Sequence, residues 1–441
     1  MTPTRRQFLT TSALAAGAIV LTPFGRAMAA PAAPESPSAP LTPAAAPTAV
    51  VATNVLGSYP ALDNVLKSLP AYTTGEPLRT VKIKPGTYKR AKPIMVPSGV
   101  LLDAGGCTFV LQTKGKFDAL LRIENVHDVT INGGRWDGNK KILKGKKYAK
   151  WEWRHAIRLH NSQNVTLQNL TATNAKGDGI YVGLDLHPCQ NVTINNVRST
   201  KNARSGLAIT ACDGLTATNS YFYSNSGKAP EAGVVIEPHD RSIIDHITFK
   251  NCKFYSNGSR GFLAVMKQST SLAPATGIEL NNCTLYSNGK STKDVSTAGV
   301  TLMRPRKIKI TGGSSYGNQF GVFILGRRTG DAPTVHGDVT LDHFTVTGNR
   351  KDGVIIENSI KSLVIQNASK ITNNSRKKKY AYDGLRIKQG SNVKVSDSAI
   401  TTKHRYGVCA DKGVSGVVLT HTNLTGNKKG AFKGTGVTYV P

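Results

Sequence analysis

The chain has 441 residues, with 57 Lys and Arg against 26 Asp and Glu, for a formal net charge of +31. Such a balance excludes an acidic, solvating chain and points to anionic partners. No recognition motif accompanies the charge, so nucleic acid is set aside as a partner, and beyond the amino terminus no apolar run is long enough to predict a membrane span.

In chain order, TRRQFL (Thr4 to Leu9) is a twin-arginine signature, followed by the apolar run TSALAAGAIVL and a small-residue stop at Ala27–Ala30. The run is too short to cross a bilayer, so residues 1–29 read as a cleavable signal peptide. The protein is therefore expected to be secreted, exported by the twin-arginine pathway. Residues 30–52 are rich in Ala and Pro without apolar periodicity and read as a disordered linker, leaving 53–441 as the folded domain. YPALDNVLKSLPAY, near residues 59–72, predicts a short helix capping an open strand edge.

The rest of the chain repeats itself. NNVRSTKN, TNSYFYSN, KNCKFYSN and NNCTLYSN align Asn196, Asn219, Asn251 and Asn282, each followed six residues later by Asn202, Asn225, Asn257 and Asn288. A second element recurs downstream of each: GIYVG, GLAIT, GVVIE, GFLAV, GVTLM. Short alternating strands punctuated by Gly and Asn predict an all-β chain folded as one parallel solenoid of about eleven coils. Asparagine suits the left-handed backbone of a tight corner, and stacked copies can hydrogen-bond along the axis. Cys252 and Cys283 occupy equivalent positions and should stack, as buried thiols or as a disulfide. No C-x-x-C pair occurs among the six cysteines, which argues against a zinc site.

VKIKPGTYKRAKPIMVPSGVLLDAGG (Val81 to Gly106) and GGRWDGN (Gly133 to Asn139) resemble the pectate-lyase-like right-handed parallel β-helix superfamily. That resemblance implies the handedness and a fold shared by lyases, hydrolases, epimerases and non-catalytic tail proteins. EPHDRS (Glu237 to Ser242) is similar to the Asp-Pro-His-Asp-Arg-Ser stretch of periplasmic mannuronan C5-epimerases. On that resemblance Glu237 takes the place of the active-site aspartate and His239 that of the catalytic histidine. Two departures stand out: the acid is Glu rather than Asp, and the tyrosine three positions earlier is Val234.

Strand alternation places Val234 and Ile236 inward and Val235 and Glu237 outward, in a column with Arg158, His160, Tyr181, Thr210, Val265 and Met303. Tyr181, Glu237, His239 and Lys267 are the candidate catalytic groups, since abstraction of the proton α to a carboxylate needs a base and a proton relay. Arg304, Arg306 and Arg241 could neutralise that carboxylate. Asp185 and Asp240 could bind sugar hydroxyls, and Trp151 and Trp153, in the insertion KWEWRH, could stack on sugar rings. His239 also reads as a turn residue bonded to Asp240 or Asp245. No cofactor is implied by the residues alone. A calcium ion would need converging carboxylates, and Asp178, Asp185, Glu231 and Asp240 are available without a spacing that brings them together.

Three function classes follow. The first is a polysaccharide lyase or C5-epimerase acting, as an expected monomer, on an acidic, uronate-containing polysaccharide. The second is a glycoside hydrolase using two carboxylates from Asp178, Glu231, Glu237 and Asp240. The third is a non-catalytic module that binds anionic wall polymers.

Overall fold

The computed structural model describes residues 49–148, 150–184, 187–239, 242–266, 277–289, 296–326, 337–390 and 392–441. Residues 1–29, read as a signal peptide, and residues 30–48 of the segment read as a linker lie outside the described residues. So do Asp185, Asp240, Arg241 and Lys267.

Each turn of the chain visits three parallel sheets in the same order. A first sheet of 15 strands runs from Ala49–Val55 to Val437–Val440, a third of 12 from Gly86–Arg90 to Ala399–Thr401, and a second of 13 from Ile94–Met95 to Gly430–Lys433. The chain is a right-handed parallel β-helix, as expected. Two expectations are corrected. Twelve or more coils stack rather than eleven, because the coils between Arg79 and Leu111 use strands as short as Ile94–Met95 and carry no Asn repeat to count by. The folded part also begins earlier than residue 53: Ala49–Val55 pairs in parallel with Arg79–Ile83, extending the first sheet by one strand into the stretch read as linker. The predicted helix is Ala61–Ser68, which inserts Leu62 and Leu66 into the core.

Inward residues form one continuous core along the axis. Val165, Val192, Leu215 and Ile247 stack from the first sheet, and Phe222, Phe254 and Leu285 from the third. All six cysteines are buried and free, with Cys189 beside Cys212 in register. On the outside of the third sheet, Tyr223, Tyr255, Tyr286 and Tyr316 stack with centroids 4.7, 4.8 and 5.1 Å apart. Their faces are turned to one another, so this ladder stabilises the coil stack rather than offering platforms for sugars.

The repeat that defined the fold has two physical roles. Asn196, Asn219, Asn251 and Asn282 sit at one corner with φ of 50°, 51°, 54° and 53°, the left-handed region that asparagine tolerates. The second set forms a buried amide ladder. Asn202 donates to Asn225, Asn225 to Asn257 and Asn257 to Asn288, each at 3.0 Å, and the ladder continues through Asn318, Asn349 and Asn374. The recurrent glycines face this ladder. A Cβ on Gly233 would lie 2.6 Å from the Gly261 carbonyl and 2.9 Å from the Asn257 amide, so only glycine fits.

One rung differs. His404, fully buried, replaces asparagine between Asn374 (3.2 Å) and Asn427 (3.0 Å), and burial pushes its imidazole down to about 4. An unfolded histidine takes its proton near 6.5, so below that pH the unfolded chain binds more protons. The stability this site contributes is complete above pH 6.5 and is lost as pH falls towards 4, on the order of 3 kcal/mol. Asp352 acts with the opposite sign: burial raises its carboxyl to about 6, so its contribution is present at low pH and lost as pH rises through 6. His404→Asn, which continues the amide ladder, should therefore lose less melting temperature between pH 7 and 5 than the parent protein. Equal losses in the two proteins would refute this account of the rung.

Candidate functional site

The described residues singled out from sequence lie along the outward face of the second sheet and its edge, and strand register decides which of them meet. Arg158 pairs with Tyr181, Tyr181 with Ala208, Ala208 with Val235 and Val235 with Leu263, one residue per coil. Val234 and Ile236 point into the core while Val235 faces out, as the alternation predicts. Upstream of Tyr181 this face is a closed ion-pair network: Arg158 bonds Asp118 and Glu124, and Arg122 bonds the same two acids. Arg158 is thus engaged within the protein.

Tyr181 faces outward as expected, yet it is only 3% exposed rather than lying open on a strip. Its ring stacks on His155 at 4.6 Å and 27°, and Trp153 packs edge-on against it at 5.8 Å. The Thr210 hydroxyl, one outward position along and one coil on, donates to the Tyr181 oxygen at 3.1 Å. His155 enters through the strand His155–His160, whose register places it opposite Asp178 on the next coil. The Asp178 backbone N–H donates to His155 Nδ1 at 3.1 Å, which places the neutral ring's proton on Nε2. Asp178 Oδ2 lies 3.5 Å from the same nitrogen.

A buried guanidinium joins this group. Arg204 bonds Glu152 and lies 3.6 Å from Asp178, while Lys228 pairs with Glu152 at 3.0 Å. Burial disfavours the Arg204 charge, but Asp178, Glu152, Glu237 and Tyr181 more than offset this and hold its pKa above the ordinary value. Glu237 therefore lies within electrostatic reach of Arg204. It is half-buried at the far edge of the sheet, with its N–H donating to the Ile209 carbonyl at 2.9 Å.

His239 follows in the turn from the second sheet to the first, half-buried, with its carbonyl receiving the Ser242 N–H at 3.0 Å. Asp245, the acid offered as a turn partner for it, receives the N–H groups of His246 and Gly277, both at 2.9 Å. Arg304 and Arg306 lie on the equivalent turn two coils on, both half-buried, with Arg304 left-handed at φ 52°. Trp151 and Trp153 line a pocket of about 230 Å³ with Lys116, Phe117, Asp118, Lys150 and Glu152. Thus Tyr181 and Trp153 come together, whereas Glu237 lies two coils on and two positions further along the strand, and His239, Arg304 and Arg306 line the edge of the sheet beyond it.

His155, Arg204 and Glu152 were not singled out from sequence. His155 and Glu152 lie inside the insertion that carries the tryptophans, and Arg204 lies on a turn whose coil offset only the register supplies. Of the carboxylates proposed for hydrolysis or calcium, Asp178 is 2% exposed between His155 and Arg204, and Glu231 bonds the Gly227 N–H. Among the described residues no group of three His, Cys, Asp or Glu side chains is placed to hold a metal ion. No described helix is long and apolar enough to cross a membrane.

The fold defines the class, a right-handed β-helix, here with an apolar strip of Ala208, Val235 and Leu263 running from Tyr181 along the outside of its second sheet. A family model described as right handed beta helix region matches residues 106–244. The SPbeta prophage-derived uncharacterized protein YorA of Bacillus subtilis (strain 168) is 22% identical over 233 residues, 45% of this chain and 40% of that protein. The matched stretch thus spans well under two thirds of that relative. Among solved structures, the Azotobacter vinelandii mannuronan C-5 epimerase AlgE4 A-module is 14% identical, covering 89% of this chain and all of that one, with a TM-score of 0.55. The N-terminal fragment of bacteriophage Phi29 gene product 12 is 15% identical, covering 85% of this chain and 69% of that one, with a TM-score of 0.57. At these identities the likeness is one of fold.

Proposed function

We propose that the protein is a secreted carbohydrate-active β-helix enzyme that abstracts the C5 proton of a uronate residue in an acidic polysaccharide, as a lyase or C5-epimerase. The observation that carries this reading is the convergence on one sheet of Tyr181, held between His155, Trp153 and Thr210, with Glu237 and the Arg204 charge. His239 and Tyr181 exchange the C5 proton, Arg304 neutralises the sugar carboxylate, and Glu237 orients the ring. Elimination after abstraction gives a lyase; return of the proton to the opposite face gives an epimerase. Asp178 and Glu231 are engaged by other groups of the protein, which narrows the carboxylate pair of the hydrolase reading to Glu237 and Asp240. The resemblance of EPHDRS to the epimerase motif and the epimerase module among the structures of like fold support the same reading.

The test is incubation in heavy water with polymannuronate, polygalacturonate, polyglucuronate and a neutral glucan. Deuterium at C5 by NMR, or ultraviolet absorbance of an unsaturated uronate, is expected with one of the acidic polymers. Reducing ends without either signal would replace this reading with hydrolysis. Binding should also weaken steeply from low to physiological salt, because exposed charges are screened over about 8 to 10 Å. Equal affinity for the neutral glucan would defeat the electrostatic part. The burial of Tyr181 favours one second reading, a non-catalytic binding module, for which polymer binding persists with neither deuterium, unsaturated uronate nor new reducing ends in any polymer.

A further inference from the structure

From Asn202 onward the turn from the third sheet to the second follows the amide ladder, and towards the carboxyl terminus it fills with cations. Arg350 and Lys351 follow Asn349, and Arg376, Lys377, Lys378 and Lys379 follow Asn374 by way of Ser375. Lys403 and Arg405 flank His404, and Lys428 and Lys429 follow Asn427.

These turns stack in fixed register. The Lys377 N–H donates to the Arg350 carbonyl at 2.7 Å, Lys428 to His404 at 2.9 Å and Lys429 to Arg405 at 2.8 Å. The four-cation turn is held by one buried hydroxyl. Ser375 Oγ receives the N–H groups of Ala381 and Tyr382, both at 3.0 Å, and donates to the Lys378 carbonyl at 2.7 Å.

The charge is not balanced locally. Asp383, fully buried beneath the turns, is held by Arg405 at 3.0 and 2.6 Å and by Arg386 at 3.2 Å. Buried Asp352 receives the Asp383 N–H at 2.7 Å. Among the described residues Arg350, Arg376, Lys377, Lys378, Lys379, Lys403, Lys428 and Lys429 are exposed and form no ion pair. An aromatic ring sits among them: the Lys379 and Lys428 ammonium groups lie 5.1 and 5.5 Å from the centre of the Tyr380 ring.

Eight like charges on an ordered, stacked surface repel one another unless a counter-charge arrives, and their order is already in place for it. With coils about 4.8 Å apart, the ridge covers roughly 15 Å along the axis. From the Tyr181 coil to the Ile355 coil the register counts six steps, about 29 Å, and Arg304, two steps away, lies on the turn at the opposite end of the second sheet, so the ridge is separate from the site described above. We propose that this cationic ridge is a second polymer-binding site, which grips a linear acidic polysaccharide through its carboxylates with the Tyr380 ring against a sugar face. Only the class of polymer rests on the functional reading above; the ridge binds whether or not the Tyr181 site is catalytic. Interleaved cations and an aromatic ring favour an acidic sugar chain over a bare phosphodiester or a lipid surface.

The test uses the full chain carrying Arg376→Gln, Lys377→Gln, Lys378→Gln and Lys379→Gln together, four exposed side chains whose loss leaves the turn's backbone bonds in place. Affinity is titrated against long polygalacturonate and polymannuronate over a salt series, with polyphosphate, anionic vesicles and dextran as further arms. Binding to a long uronate polymer should weaken by about tenfold or more at low salt, and the salt dependence should become shallower by up to about one unit of log–log slope per lost contact. Lys309→Gln, which removes one exposed cation from the first sheet, should bind that polymer as the parent does. Parental affinity in the fourfold variant would overturn the proposal. So would a loss confined to polyphosphate or vesicles, which would assign the ridge to phosphate surfaces. An absence of both C5 exchange and unsaturated product with retained ridge-dependent binding would remove the enzymatic reading alone.

Discussion

Replacing His239 with alanine should lower turnover on the responsive uronate polymer by two orders of magnitude or more, the scale of a lost acid–base group. His239 lies on the turn leaving the second sheet, outside the core, and its carbonyl closes that turn through the Ser242 N–H, a backbone bond that alanine keeps. The fold should therefore barely register the change, within about 0.5 kcal/mol, as for other surface substitutions. Tyr181→Phe is the companion. It removes the oxygen that receives the Thr210 hydroxyl while keeping the stack on His155, so it should cut turnover with only a small stability loss. Glu237→Gln should slow the reaction and leave polymer affinity largely intact, whereas Arg304→Ala should raise KM by removing the carboxylate's partner. Initial rates read beside melting curves decide the matter. A fully active His239→Ala protein, or one inactive only because it has unfolded, returns EPHDRS to the role of a charged turn.

The second large effect is on stability, and it lies in the ladder. Asn257 is fully buried and makes bonds in both directions. Its oxygen receives the Asn225 backbone N–H at 3.1 Å and side-chain amide at 3.0 Å, and its own amide reaches Asn288 at 3.0 Å and the Phe222 carbonyl at 3.1 Å. Alanine would strand these partners away from water, and each buried group left unsatisfied costs about 1–3 kcal/mol. A total loss of roughly 3–5 kcal/mol is expected after partial relaxation, the range reserved for broken buried networks. Asn251→Ala supplies the contrast, since Asn251 is exposed and held only by its left-handed φ of 54°, so about 1 kcal/mol is expected. Urea midpoints for the two variants test this; comparable losses would mean that the ladder contributes no more than the corner.

The architecture was legible because its causes are local and repeated. Asn196, Asn219, Asn251 and Asn282 mark a left-handed corner in each coil, and Gly206, Gly233 and Gly261 mark the strand start where the next coil's carbonyl leaves no room for a Cβ. The inward and outward sides of GVVIE follow from strand geometry alone. The early coils were miscounted for the converse reason: strands of two to five residues between Arg79 and Leu111 carry no repeated marker.

What the amino-acid sequence determined by itself was the solenoid, its buried ladder and the cationic character of its surface, because each is a property of one coil copied along the axis. The tertiary structure alone decided which side chains from different coils meet. His155 lies opposite Asp178, Tyr181 stacks on His155, and Arg204 sits among Glu152, Asp178 and Glu237, although these residues come from turns of unequal length. Parallel pairing holds neighbouring coils in strict register, so every insertion is expelled into a turn, and the turns' differing lengths hide from sequence spacing the columns that the sheets then align. For the same reason four cations written consecutively, Arg376 to Lys379, become part of one ridge with Lys428 and Lys429 only after two further coils are stacked beneath them.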